Sequence, residues 1–234
     1  MKKKGKRILF FVLGIILFCV LVVTLYEVFF KVEPMKLAKT NVSEKGDCFF
    51  VDNTNDNVNL KVSSGTRENP YNLDGVHNEM KSFTLLIFKT TINNISEPSF
   101  VATIDGTEYQ GVLELNPCDG TYVSDLQILL NNNSNISVVI YVNDMEFTFN
   151  PTNLNSNWGL DFDEALDIGL NNMKDIIEKL IENGKFNGEC YVKVISDPSG
   201  VLDIYYYYIG IVDISGNIYS TVLDTTDGKI LNAE

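Results

Sequence analysis

The sequence predicts a chain in three parts: an N-terminal transmembrane helix, an all-β sandwich-like domain, and a small α+β domain with one helix on a sheet of three to four antiparallel strands. Three observations predict it. Residues 8–26 run nineteen positions without a charge and are rich in Leu, Ile, Val and Phe. Between residues 48 and 150, short runs of Val, Ile, Thr, Phe and Tyr alternate with turn residues, the pattern of an antiparallel sandwich or open barrel. Beyond residue 158 an amphipathic helical stripe leads into strands spaced as hairpins. With 234 residues, 45% hydrophobic and 21% charged, the chain has the size and composition of one or two folded units and not of a disordered protein.

Charge organises the first part. Lys2, Lys3, Lys4, Lys6 and Arg7 form a basic tip over residues 1–7, whereas residues 32–234 carry 12 basic and 30 acidic side chains. A helix needs about 20 apolar residues to cross a hydrocarbon core of about 30 Å, so residues 8–30 read as a signal anchor with the lipid bilayer as partner. The basic tip then predicts a single-pass cell-membrane protein, N-terminus cytoplasmic and bulk of the chain extracytoplasmic. A cleaved signal peptide is the competing reading, but it would have a shorter apolar run and an exit of small residues. Here the run leaves through Tyr26, Glu27, Phe29 and Phe30.

Residues 31–47 lack periodicity and contain Pro34, as a short stalk would. In the all-β domain, residues 82–91, 108–115, 122–130, 136–142 and 146–149 are predicted strands, separated by turns such as Asp105-Gly106 and Asn116-Pro117-Cys118-Asp119-Gly120. Residues 151–158 read as a linker. A helix is predicted over 161–183 because Phe162, Leu166, Leu170, Met173, Ile177 and Leu180 fall on one face. Asp161 and Glu164 supply a capping box, and Gly184 a left-handed stop. Strands follow over 189–195, 202–212 and 218–224, with turns at Asp197-Pro198-Ser199-Gly200 and Ser215-Gly216-Asn217.

The helix start Leu160-Asp161-Phe162-Asp163-Glu164-Ala165-Leu166 and the ending Val222-Leu223-Asp224-Thr225-Thr226-Asp227-Gly228-Lys229-Ile230-Leu231 resemble the PepSY family over residues 159–234. That resemblance implies an extracytoplasmic module without catalytic residues, in a family proposed to restrain peptidases. Gly65-Thr66-Arg67-Glu68-Asn69-Pro70-Tyr71 is similar to openings of Gram-positive surface β-sandwich domains.

No catalytic constellation emerges. His77 is the only histidine and lies in a polar loop, with no nucleophile fixed beside it. Asp52-Asn53-Thr54-Asn55-Asp56 alternates oxygen ligands, yet Asn57 and Ser63 stand where a calcium loop of the EF-hand type needs Gly and Glu. Few Arg and a net charge of -13 argue against nucleic acid as a partner. Consecutive Tyr205, Tyr206, Tyr207 and Tyr208 alternate faces along a strand. One pair can pack under the helix and the other, with Trp158, forms the candidate binding patch. Cys48 and Cys118 are a candidate disulfide. The expected function is a non-enzymatic binding or regulatory ectodomain with an envelope protein partner and no cofactor or metal. The alternatives are an envelope hydrolase using paired carboxylates and a sugar- or ligand-binding surface protein using exposed tyrosines.

Overall fold

A computed structural model describes residues 15–22, 33–55, 57–197 and 204–233. The protein is mostly β-sheet with few helices. Residues 15–22 are helical. Among the described residues no helix is long and apolar enough to cross a membrane. This corrects the expected transmembrane helix and, with it, the signal anchor and the single-pass localisation built on it. The remainder of the 8–30 segment and the basic tip lie outside the described residues.

The stretch expected as a stalk is structured. Pro34–Thr40 is a helix, α1, and Val42–Asn55 is the first strand, β1. Strand β1 pairs antiparallel with β2 (Val58–Glu68), which pairs with β3 (Met80–Thr90). Next come β4 (Ser99–Ile104), β5 (Thr107–Val112), β6 (Glu114–Leu115), β7 (Tyr122–Asp125), β8 (Ile136–Val142), β9 (Met145–Phe149) and β10 (Thr152–Asn153). Helices α2 (Phe162–Asn172) and α3 (Lys174–Lys179) lead into the small hairpin β11 (Ile181–Glu182) and β12 (Lys185–Phe186). The chain closes with β13 (Gly188–Ser196), β14 (Tyr205–Asp213), β15 (Ile218–Asp224) and β16 (Ile230–Ala233).

These strands do not divide into separate domain sheets. One ten-stranded sheet runs β16-β15-β14-β13-β1-β2-β3-β7-β6, with β10 added to β1. The start of β1 pairs parallel with β13 through Val42 and Cys190, Glu44 and Tyr191, and Lys45 and Val192. The rest of the same strand belongs to the sandwich. A separate four-stranded sheet, β5-β4-β8-β9, packs on the sandwich half. Its alternation of buried and open positions, seen along Ile136–Val142, gives one apolar face. Phe50, Leu60, Leu86, Phe88, Ile140 and Phe149 form the centre of that core.

In the other half, α2 and α3 press on β13–β15, with Phe162, Leu166, Leu170 and Ile177 against Val192, Tyr207 and Ile209. Neighbouring residues of β1 separate the two cores: Phe50 enters the first, while Phe49 and Val51 point to the opposite face with Tyr205. The main cores of the two halves therefore lie on opposite faces of the long sheet. The predicted single helix over 161–183 is two. Met173, at φ -97° and ψ 18°, interrupts it after the poor helix formers Asn171 and Asn172. Gly184 is not a helix stop. Asn183 and Gly184, both at positive φ, make the two-residue turn between β11 and β12.

Candidate functional site

Trp158 occupies the seam between the halves. The residues before it, read as a linker, are tied to β1 on several sides. Leu154 donates its amide to the Phe49 carbonyl at 2.9 Å. The Asn155 side chain accepts from the Phe49 amide at 2.8 Å and donates to the Asp47 carbonyl at 3.1 Å. On the far side, the Gly159 amide donates to the Thr225 carbonyl at 3.1 Å, and any side chain at Gly159 would collide with the Thr226 carbonyl. The indole is thus clamped between β1 and the β15–β16 turn. Its ring lies 6.2 Å from Phe49 and meets Tyr207 edge-on at 5.3 Å.

A cleft of about 550 Å³ opens beside it. Trp158, Tyr205 and Leu154 give it apolar walls, and polar groups come from β1, from the 150–152 segment and from the β15–β16 turn. Asp52 accepts from the Asn150 amide at 2.7 Å, and the Asn53 amide donates to the Tyr205 hydroxyl at 3.4 Å. Lys61 stands over the Tyr205 ring at 5.3 Å. Thr225 and Asp224 close the floor, with Thr225 donating to the Tyr205 carbonyl at 3.3 Å.

The four candidate tyrosines are split by the sheet. Tyr205 and Tyr207 are both buried, Tyr207 under the helices and Tyr205 against Phe49 and Val51 of β1, and the Tyr207 hydroxyl donates to the Leu160 carbonyl at 2.8 Å. Burial raises the Tyr207 pKa. Tyr206 and Tyr208 are half-buried on the uncovered face. There Tyr208 stacks on Tyr191 at 5.8 Å, with the Lys193 ammonium 5.2 Å from the Tyr191 ring. So only Tyr205 joins Trp158 in one cleft.

The candidate disulfide is not formed, because the two side chains live in different environments. Cys48 is buried in the sandwich core with its thiol directed at the Leu130 carbonyl, 3.3 Å away, and burial pushes its pKa up to about 12. Cys118 is exposed in the turn after β6. His77 is better partnered than a solvated loop residue: its Nδ1 lies 3.0 Å from Glu68 Oε1.

That contact leads to a second site, one the sequence reading did not single out. The loop over residues 69–79 crosses from the end of β2 to the helical half. Asn41 Nδ2 donates to the Gly75 and Phe186 carbonyls at 3.4 and 3.3 Å and holds the loop down. Beneath it Glu68 and Glu189 are both enclosed. Glu68 Oε1 accepts from the Asn78 amide at 2.9 Å. Its Oε2 and both Glu189 oxygens have no hydrogen-bond partner of normal geometry. The Glu189 pKa is pushed up to about 7, chiefly by burial and then by the Glu68 charge, with the Gly75 amide pulling the other way. Next to the pair is a cavity of about 420 Å³, lined among others by Glu44, Glu68, Tyr71 and Tyr191. One signal for it was readable. The alternation that sends Val58, Leu60 and Val62 inward places Glu68 on the same side of β2.

No family model matches the chain, and no curated protein or solved structure is significantly similar to it. The resemblance of residues 159–234 to the PepSY family therefore rests on its helix-start and turn motifs alone.

Proposed function

We propose that the chain is a non-enzymatic binding protein, and that the cleft beside Trp158 receives an uncharged, hydroxyl-rich ligand of the sugar class. One observation carries this reading. A half-exposed indole and the Tyr205 ring share a cleft of about 550 Å³ with carboxylate, amide and hydroxyl groups from separate chain segments. An aromatic face buries the C–H surface of a sugar ring while such polar groups bond its hydroxyls. Asp52 and Asp224 in the lining disfavour an anionic ligand. The PepSY resemblance supports a role without catalysis and makes a protein segment the alternative occupant.

A carboxylate hydrolase is the weaker reading. Glu68 and Glu189 are both enclosed and the Glu189 pKa is raised, but Glu189 is 0% exposed and has no surface to present to a substrate. Trp158 is the chain's single tryptophan, so its fluorescence reports on the cleft directly. Titration with a panel of neutral oligosaccharides is expected to give a saturable change. Calorimetry on Trp158→Ala should show affinity weakened at least tenfold. A panel that produces neither a fluorescence change nor binding heat overturns the assignment.

A further inference from the structure

Two cavities meet at Trp158, and the cleft it shares with Tyr205 is one of them. On the other side of the indole lies a cavity of about 330 Å³, walled by Lys45, Asp47, Asn132, Asn155 and the start of α2. Both follow one side of β1. There Lys45 reaches Asp163 of α2, Phe49 and Val51 pack with Tyr205, and Asn53 donates to the Tyr205 hydroxyl. Lys45 and Asp47 line one cavity and Val51 and Asn53 the other, with Phe49 between them beneath the Trp158 ring. At a strand's rise of 3.2–3.4 Å per residue, Lys45 to Asn53 covers roughly 25 Å. The flanking walls are continuous as well. Leu154 lines the first cavity and the next residue, Asn155, the second. Opposite, Thr226 of the first lies against Gly159 of the second, where a Cβ would come within 1.9 Å of the Thr226 carbonyl oxygen.

We propose that the two cavities are one groove, and that its ligand is a linear, neutral oligosaccharide laid along β1 with sugar rings on both sides of the Trp158 indole. This rests on the sugar reading of the first cleft and extends it from a ring to a chain. The half-exposed indole offers apolar surface at the crossing point. Beyond it, the Asp47 and Asp163 carboxylates and the Asn132 amide are the groups that take hydroxyls. Asn132 is held at the wall by Asn153 Nδ2, which donates to its carbonyl at 2.8 Å and to its side-chain oxygen at 3.0 Å. Asp161 and Glu164 are already committed to the capping box of α2. Four carboxylates line this end against one ammonium, that of Lys45, which lies 2.6 Å from Asp163. Uronate and sulfated chains are repelled by that balance. A neutral chain that fills both cavities binds its second part at high effective concentration, so affinity should climb with length.

Calorimetry on the full chain tests this with length ladders, monosaccharide to hexasaccharide, of α-1,4-glucan, β-1,4-glucan and β-1,4-linked N-acetylglucosamine. In a ladder that binds, affinity is expected to rise at least tenfold from the shortest member that binds to the longest. Asp47→Ala and Asp163→Ala should each weaken the longest member about threefold or more and leave the shortest within twofold of wild type. Far-UV circular dichroism checks that each variant stays folded. Asn132→Ala, at an exposed loop position, probes the same wall without touching β1 or α2 and should behave alike. Affinity that stays level along the ladder overturns the groove and leaves the sugar reading of the first cleft standing. So does a longest member that all three variants bind within twofold of wild type. Absence of binding by every ladder overturns the groove and the sugar reading together.

Discussion

Glu189 lies in β13 with no exposed surface, and Glu68 and Asp74 add their charges to the effect of burial on its carboxyl group. The folded-state pKa of about 7 lies above the ordinary 4.5 of the unfolded chain, so between those values the folded protein binds more protons. Stability from this group is fully present below about pH 4.5 and is lost as pH rises through about 7. Thermal unfolding at pH 5 and pH 8 should therefore show wild type losing melting temperature over that interval. Glu189→Gln cannot titrate and should be flatter, with its advantage over wild type growing at pH 8. An equal offset at both pH values would remove Glu189 as the cause. The position was hard to see in the sequence. In Gly188-Glu189-Cys190-Tyr191 an acid next to apolar residues reads equally well as an open-face position, and only the 69–79 loop closing over it makes it interior.

Helix α2 shows where local chemistry and packing agree and where they part. Asp161 accepts from the Glu164 amide at 2.8 Å and Glu164 accepts from the Asp161 amide at 3.1 Å, the capping box legible in the sequence. Asp161→Ala should cost about 1 kcal/mol by chemical denaturation. Gly169 is the opposite case. Helix propensity alone favours Gly169→Ala by about 1 kcal/mol. Yet a Cβ there would lie 2.7 Å from Ile209 Cβ, a branched side chain fixed in β14. The substitution should destabilise by about 1–3 kcal/mol, because the helix sits too close to the sheet for an added methyl group. A stabilised Gly169→Ala protein would mean that the helix can lift away. The end of the predicted helix was misjudged for a related reason. The apolar stripe continues through Ile177, but the Asn171-Asn172 pair lets the chain break at Met173 and restart.

At the scale of the molecule, β1 decides the architecture. It is hydrogen-bonded to β13 at its start and to β2 along most of its length, so the sandwich and the helical half share a backbone ladder. Lys45 bridging to Asp163 at 2.6 Å and Lys39 to Asp167 at 2.5 Å tie the same region to α2. Two halves joined this way should unfold together. Denaturant titration followed by Trp158 fluorescence and by far-UV circular dichroism is expected to give coincident transitions. Two separated midpoints would show that the halves fold independently, as a boundary at 151–158 predicts.

The sequence by itself determined the local features: alternation in β8, the two-residue turn at Asp105-Gly106, the capping box, and the opposite faces of Tyr205 and Tyr206. Each depends on a period or a backbone preference that a few neighbouring residues express. An uncharged run was also legible over residues 8–26, but the spanning helix inferred from it is not among the described elements. Only the tertiary structure decided that β1 pairs with β13 across nearly 150 residues of chain. It also decided that Trp158 meets Tyr205 and that Glu68 and Glu189 are both buried. Such contacts depend on which faces of distant strands are left to be covered, and no short-range pattern carries that information.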